Sequence, residues 1–224
     1  MERRLPMTLI ALTGVIGPLA FIALVIAQGL MHPDYSHVAM PVSALTAWPG
    51  GWLQKVNFAI AGTLMATFVL GLHATIRPTR FGLLGIALLL ASSVGVVMAG
   101  LFPWIRVDGV PTETPAHAAA AILTFLGASI GLIALSRRLA ADPEWHDLSA
   151  YVLATGIIML MMFVVLGGFA IEAGTPLHQW AGLLQRVLVV IWFACILVMA
   201  RRVMRIGRET ASPSPLPSAS ERAG

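Results

Sequence analysis

Residues 181–208 read AGLLQRVLVVIWFACILVMARRVMRIGR. No charged side chain stands between Arg186 and Arg201, and four arginines then follow, Arg201, Arg202, Arg205 and Arg208. A hydrocarbon core roughly 30 Å thick is crossed by about 20 apolar residues in a helix. Residues 181–199 therefore predict a membrane span with a basic flank. Five further runs meet the same length, at 9–31, 53–76, 81–102, 116–135 and 149–171. The fold expected is all-α, a polytopic bundle of six transmembrane helices. Hydrophobic residues make up 58% of the 224 and charged residues 11%, against roughly 25% charged in an ordinary soluble domain. Such a composition needs no nucleic-acid partner to explain a net charge of +4, because basic residues gathered on one side of a bilayer give the same balance.

The loops alternate in charge. Arg3 and Arg4, Arg77 and Arg80, Arg137 and Arg138, and the four arginines after 199 fall at the N-terminus, in the second and fourth loops, and at the C-terminal flank. The other three loops carry only Lys55 and Arg106 as cations, and Trp48, Trp52, Trp104 and Trp180 stand at their helix ends. The positive-inside rule and the aromatic belt then place both termini in the cytoplasm and the Trp-bearing loops outside. The apolar run behind Arg3 and Arg4 is longer than a signal-peptide core, which makes it an uncleaved first helix. Residues 1–208 form the expected transmembrane domain, and 209–224, rich in Ser and Pro, a disordered cytoplasmic tail. The single cysteine, Cys195, lies inside the last span, so no intrachain disulfide and no Cys-based metal motif is available.

Immediately before the last span stands TPLH (175–178), and TPAH (114–117) stands before the fourth. Thr is a good N-cap and Pro suits the first helical position, so each tetrapeptide predicts a helix start with His117 or His178 in the first turn. The cap explains Thr-Pro and does not require His. Near the positive end of a helix dipole an imidazole tends to stay neutral, with a lone pair free to act as base or metal ligand. The first outer loop, MHPDYSHVAMPVSALTAWPGGWLQKVN, adds His32, Asp34, Tyr35, His37 and Ser43; the third adds Asp108 and Glu113, and the fifth Glu172. His178, Gly182 and Gln185 share one helical stripe flanked by Arg186. An unpaired charge at the depth of Arg186 costs about 2.5 kcal/mol or more, so Glu172 or Asp108 is its expected partner, with snorkelling to a headgroup as the plainer alternative. Asn57, equally shallow in the second span, should prefer the bundle interior. Stripes of small residues, Ala121, Thr124, Ala128 and Gly131 in the fourth span and Gly85, Ser92 and Ala99 in the third, predict close helix packing.

The sequence of motifs HPDYSH, PVSAL, GW, Asn57-Phe58 with Gly62, GLFP (100–103), the His at the start of the fourth helix, and GLLQRV (182–187) resembles the domain-of-unknown-function 998 family of six-helix prokaryotic membrane proteins. The resemblance spans nearly all of the chain except the tail and departs in FPWIRVD, where the acidic residue comes late, at Asp108. It implies a six-helix architecture in a prokaryotic plasma membrane and no particular reaction.

Three functions compete at this level. An outward-facing site handling a lipid or lipid-linked substrate would use His117, His178, Ser43 and Asp108 as candidate catalytic groups, with Arg186, Gln185, Asn57, Glu172 and His37 binding substrate. Zn²⁺ needs three or four ligands, for which His117, His178 and His37 are candidates, but no HxxxH or HExxH spacing is present. A transporter is disfavoured because the stretches IGLIAL (130–135), VVLGGF (164–169) and VVIWFAC (189–195), near the bilayer midplane, are uncharged. An accessory or sensor protein without catalysis would use the small-residue stripes to hold a partner helix.

Overall fold

The computed structural model describes residues 7–77 and 82–211. Six helices are long and apolar enough to cross a membrane: α1 (Met7–Leu30), α2 (Trp52–Thr75), α3 (Gly82–Leu101), α4 (Pro115–Ala140), α5 (Ser149–Phe169) and α6 (Ala181–Ala211). The first, second, third and fifth start and stop within about two residues of the expected spans, the ordinary scatter of helix ends. α4 and α6 run well past the ends expected for them. Apolarity stops at Leu135 and Met199, but Ser-Arg-Arg-Leu-Ala and Arg-Arg-Val-Met-Arg continue as helix, because Arg, Leu, Met and Ala propagate helix whether or not lipid surrounds them. The basic flank after 199 is thus helical, and α6 extends three residues into the expected tail. Arg3, Arg4, Arg80, Phe81 and residues 212–224 lie outside the described residues.

Consecutive helices pack as neighbours, and α6 closes the ring onto α1 and touches α2. Phe68, Leu72, Leu132, Leu135, Leu188 and Met199 are among the fully buried side chains. The small-residue stripes meet each other as expected. A side chain at Gly85 would stand 2.7 Å from the backbone nitrogen of Leu135, and the Ser92 hydroxyl donates to the Thr124 carbonyl at 2.7 Å across the α3–α4 seam. In a membrane, such close approach replaces the hydrophobic drive that association has in water.

At one end of the bundle, residues 31–51, 102–114 and 170–180 form a cap, and the first two of these segments are joined to each other. Residues Val42–Ala47 make a 3-10 turn with five buried side chains. Residues 105–112 form an antiparallel hairpin, β1 (Ile105–Val107) and β2 (Val110–Thr112), which the helical reading missed. Its signal is Asp108-Gly109: both residues have positive φ, 50° and 82°, the backbone that a two-residue hairpin turn requires and that Asp-Gly favours. The cap is tied together by Trp104 N–H donating to the Thr46 hydroxyl at 3.0 Å and by the Arg106 guanidinium over the Trp48 ring at 4.7 Å.

The opposite end carries Arg77, Arg137, Arg138 and the arginines after 199, and one of them is no surface charge. Arg138 is 3% exposed and donates to the carbonyls of Arg77 at 2.9 Å and Ile76 at 2.5 Å and to His73 Nδ1 at 2.8 Å. It caps the open C-terminal end of α2, where unsatisfied carbonyls concentrate negative potential. In the contact to His73 the guanidinium donates and Nδ1 accepts. Asp142 completes the joint by accepting from Arg77 N–H at 2.7 Å.

Candidate functional site

The GLLQR segment of α6 is held by a strap formed from residues 35–42. The Leu183 N–H donates to the Val38 carbonyl at 2.9 Å. Gln185 Oε1 accepts from the Val42 N–H at 2.6 Å. Arg186 donates to the carbonyls of Met40 at 3.0 Å and Gly182 at 2.9 Å, to the Tyr35 hydroxyl at 2.6 Å, and to His37 Nδ1 at 3.3 Å. Gly182 permits this, because a Cβ there would collide with the Met40 carbonyl oxygen. The expected carboxylate partners of Arg186 are absent from this arrangement. Asp108 stands exposed at the hairpin tip and Glu172 is exposed in the last connection. Among the described residues no carboxylate lies within 4.0 Å of the Arg186 guanidinium. Neutral dipoles satisfy it instead, and the sequence could not reveal this because three of the four acceptors belong to Tyr35, His37 and Met40, which stand 146 to 151 residues away.

Burial pushes the His37 pKa down, and the neighbouring Arg186 charge pushes it the same way. Burial raises that of Tyr35, with Arg186 opposing. Because Arg186 must donate to His37 Nδ1, the ring is the tautomer protonated at Nε2.

The two TPxH motifs differ. Thr114 caps α4 with its hydroxyl accepting from the His117 N–H at 3.2 Å, and Pro115 is the first helical residue. His117, 2% exposed, contacts the Phe102 carbonyl through Nδ1 at 2.8 Å; a carbonyl can only accept, so Nδ1 carries the proton and Nε2 the lone pair of the neutral ring. Thr175, by contrast, caps nothing: its hydroxyl donates to the Glu172 carbonyl at 2.6 Å. His178 begins a 3-10 turn (His178–Trp180) and is exposed, with Nδ1 3.1 Å from the Ala170 carbonyl. The expected His178 position in the first turn of α6 is therefore corrected: the residue stands in the 3-10 turn before that helix. Among the described residues no three His, Cys, Asp or Glu side chains gather as a metal-ligand set, so His117, His178 and His37 are dispersed.

Asn57 is 2% exposed and works inside the bundle. Its amide donates to the Phe21 carbonyl and to Gln54 Oε1, each at 3.2 Å, and Gln28 donates to the same oxygen at 3.0 Å. This amide cluster clamps α1 to α2. Among the described residues Gln54 Nε2 is buried without a partner, a cost that a helix–helix clamp in an apolar setting can carry only because the other amide groups are bonded.

Ser43, Gln185 and His117 converge. A fissure of about 170 Å³ opens between α4 and α5 and reaches α6, lined by Ala121, Ile122, Phe125, Phe163 and Leu166 in its apolar part and by Ser43, Glu113 and Gln185 at the cap. Ser43, Ala121, Phe125 and Gln185 also line a smaller cavity of about 40 Å³ that continues inward to His117 and Thr124. The two cavities adjoin, with these four residues lining both. Ser43 is 4% exposed, and among the described residues its hydroxyl makes no hydrogen bond. Glu113, at the entrance, reads in the sequence as a carboxylate of the third outer loop and does not stand out as a site residue. Its signal was position: it directly precedes the Thr114-Pro115 cap, which fixes it beside the first turn of α4. Burial raises its pKa, while the nearby Trp104 indole N–H, which closes no hydrogen bond of normal geometry, pulls it down.

A family profile described as Protein of unknown function (DUF998) matches residues 15–202. No curated protein and no solved structure matches the chain.

Proposed function

The chain belongs to the DUF998 family of proteins of unknown function, and we propose that this multi-pass membrane protein binds an amphiphile that enters the α4–α5 fissure sideways from the bilayer. The carrying observation is the fissure itself, whose walls are apolar below and whose cap end presents Ser43, Glu113 and Gln185. Sites for small ligands combine an apolar lining with a few placed polar groups. Here the polar groups are a carboxylate, a hydroxyl and a carboxamide, and no cation lines the cavity. The head group that fits is neutral or cationic and rich in hydroxyl or amine donors. Glu113 accepts from it, and Ser43 and Gln185 orient it. α5 favours lateral entry because Gly167, on the fissure wall, has nothing within 4 Å of where a side chain would stand.

The arginines support an orientation with the cap facing away from the cytoplasm. Arg77, Arg137, Arg201, Arg202, Arg205 and Arg208 share the end opposite the cap, and such an excess marks the cytoplasmic side. Both termini are then cytoplasmic, and the amphiphile comes from the outer leaflet of a plasma membrane. Ser43 and His117 line the inner cavity together, which favours an acyl-transfer chemistry as the second reading. A serine nucleophile needs its base within about 3 Å, and no hydrogen bond joins the two, so binding is the primary reading.

The test is photo-crosslinking in lipid nanodiscs with a diazirine-bearing long-chain amine and the matching fatty acid. Label from the amine on α4 and α5 residues of the fissure, abolished by Ala121→Trp and reduced by Glu113→Gln, is the expected result. Equal labelling of wild type and Ala121→Trp would end the proposal, and preference for the acid would reverse its head-group assignment.

A further inference from the structure

A second groove lies on the other side of α6, between α6 and α1. Phe21, Val25 and Ile26 of α1 face Val189 and Val190 of α6 around a space of about 170 Å³ with almost no polar lining. α1 runs toward the cap as its numbers rise and α6 as its numbers fall, so the groove lies along the helices and Arg186 stands at its cap end. With 1.5 Å of rise per residue, the five steps from Phe21 to Ile26 of α1 give it a length of about 7.5 Å, a segment of an acyl chain. Above it, the His37 ring is pressed against Gly29 of α1, where any side chain would strike it. Arg186 from α6, His37 and Tyr35 from the strap, and the backbone of α1 thus form the head of the groove.

The charge at that head has no anionic partner among the described residues, only the face of the Tyr35 ring 5.6 Å away. All four terminal N–H bonds of Arg186 go to neutral acceptors, the carbonyls of Met40 and Gly182, the Tyr35 hydroxyl and His37 Nδ1. Hydrogen bonds to dipoles satisfy its donors without cancelling its charge, and among the described residues no carboxylate is within 4.0 Å. Among the described residues Arg186 Nε makes no hydrogen bond. A half-buried guanidinium at the end of an apolar, membrane-facing groove matches one kind of molecule, which carries an anion and a hydrocarbon chain on the same body. We infer that the α1–α6 groove is a binding site for an anionic phospholipid, with the phosphate on Arg186 Nε and one acyl chain between Val25 and Val190. This site is separate from the α4–α5 fissure and opposite to it in charge: one is headed by Glu113 and the other by Arg186. It does not depend on what the fissure binds.

The proposal is tested by native mass spectrometry of the purified full-length protein titrated with phosphatidylglycerol, phosphatidylcholine and water-soluble glycerol 3-phosphate. Wild type should hold one phosphatidylglycerol at least tenfold more tightly than phosphatidylcholine and show no competition from glycerol 3-phosphate. Arg186→Gln should remove the preference. Because Arg186 also holds the strap, Val190→Trp provides an independent probe: it fills the groove, leaves every strap hydrogen bond in place, and should release the phosphatidylglycerol. Equal affinity of wild type for the two lipids overturns the site. Unchanged phosphatidylglycerol binding in Val190→Trp overturns the chain's place in the groove, and displacement by glycerol 3-phosphate shows a bare phosphate site instead of a lipid site.

Discussion

α4 and α6 both follow the sequence Thr-Pro-x-His, and they begin in different ways. At α4 the tetrapeptide is sufficient. Thr114 is extended, with φ −86° and ψ 149°, and its hydroxyl takes the His117 N–H, after which four alanines, Ala118 to Ala121, carry the helix forward with the best propensity available. At α6 the same cap residues are followed by Gln179, Trp180, Ala181 and Gly182, a weaker start. The chain makes a 3-10 turn, and the α-helix begins only at Ala181. What fixes the start of α6 is the strap from residues 35–42, bonded to Leu183, Gln185 and Arg186. One helix start is therefore local and the other is tertiary, and identical sequence does not distinguish them until the following turn is read.

The largest effect that separates the two starts should come from Gly182→Ala. The added methyl would meet the Met40 carbonyl oxygen and the Arg186 guanidinium, and backbone cannot yield as a flexible side chain can. Overpacking of that kind costs about 3 kcal/mol at the high end, and here it also strips the strap from α6. Cys195 provides the measurement: it is the single cysteine and is fully buried, so a thiol-reactive dye reports unfolding on heating in detergent. A clear drop in the midpoint is expected, and a midpoint equal to wild type would show that the strap does not hold α6. Gly167→Ala, on the open face of α5, is the matched control.

Next in size is the contrast between the histidines. His117→Ala removes a buried ring and leaves the Phe102 carbonyl without its donor, which together cost about 2 kcal/mol. His178→Ala, at an exposed position, should stay within about 0.5 kcal/mol. The dye assay decides between them, and equal losses would mean that the two motifs are equivalent after all. Smaller again is the cap itself. Thr114→Ala should cost about 1 kcal/mol, the usual value of an N-cap, while Thr175→Ala should cost about half that or less, since its hydroxyl satisfies only a turn carbonyl.

The same distinction between local and tertiary causes explains what could be read from the sequence. The six spans depend on uninterrupted apolar length, and the α3–α4 seam on small residues at helical spacing; both are local patterns, and both appear where expected. Ser43, His117 and Gln185 could be named as candidates because polar residues stand out against so apolar a background. Their meeting in one cavity could not, since it depends on how the 42–47 turn folds into the bundle. Arg138 shows the limit most plainly. Beside Arg137 it reads as one of a pair of loop charges, and only the return of α2 to the same place makes it a buried cap on the carbonyls of Ile76 and Arg77. Asp108 and Glu172, chosen as partners for Arg186 on charge alone, are exposed elsewhere.

The finest way to sharpen the comparison is pH, because the restraints on α6 include a histidine that accepts through its lone pair, whereas the Thr114 cap bond joins a hydroxyl to a main-chain amide. His37 accepts from Arg186 through Nδ1, and a protonated imidazole has no lone pair there. Its folded pKa lies below the ordinary histidine value, through burial first and the Arg186 charge second. Between the lowered folded value and the ordinary value near 6.5, the unfolded chain binds the proton more readily than the folded one. Stability from this contact is therefore fully present above that ordinary value and is lost as pH falls through the folded one. The strap on α6 should loosen on mild acidification, whereas the Thr114 cap on α4, with no titrating atom in it, should not respond. Hydrogen exchange of the Leu183 amide, bonded to the Val38 carbonyl, against that of the His117 amide reads the two starts separately in one sample. Faster exchange at Leu183 alone as pH is lowered, after correction for the intrinsic rate, and its abolition in His37→Gln, is the expected pattern. Equal behaviour of the two amides would mean that His37 does not restrain α6, leaving Gln185 and the main-chain bonds of the strap to hold it.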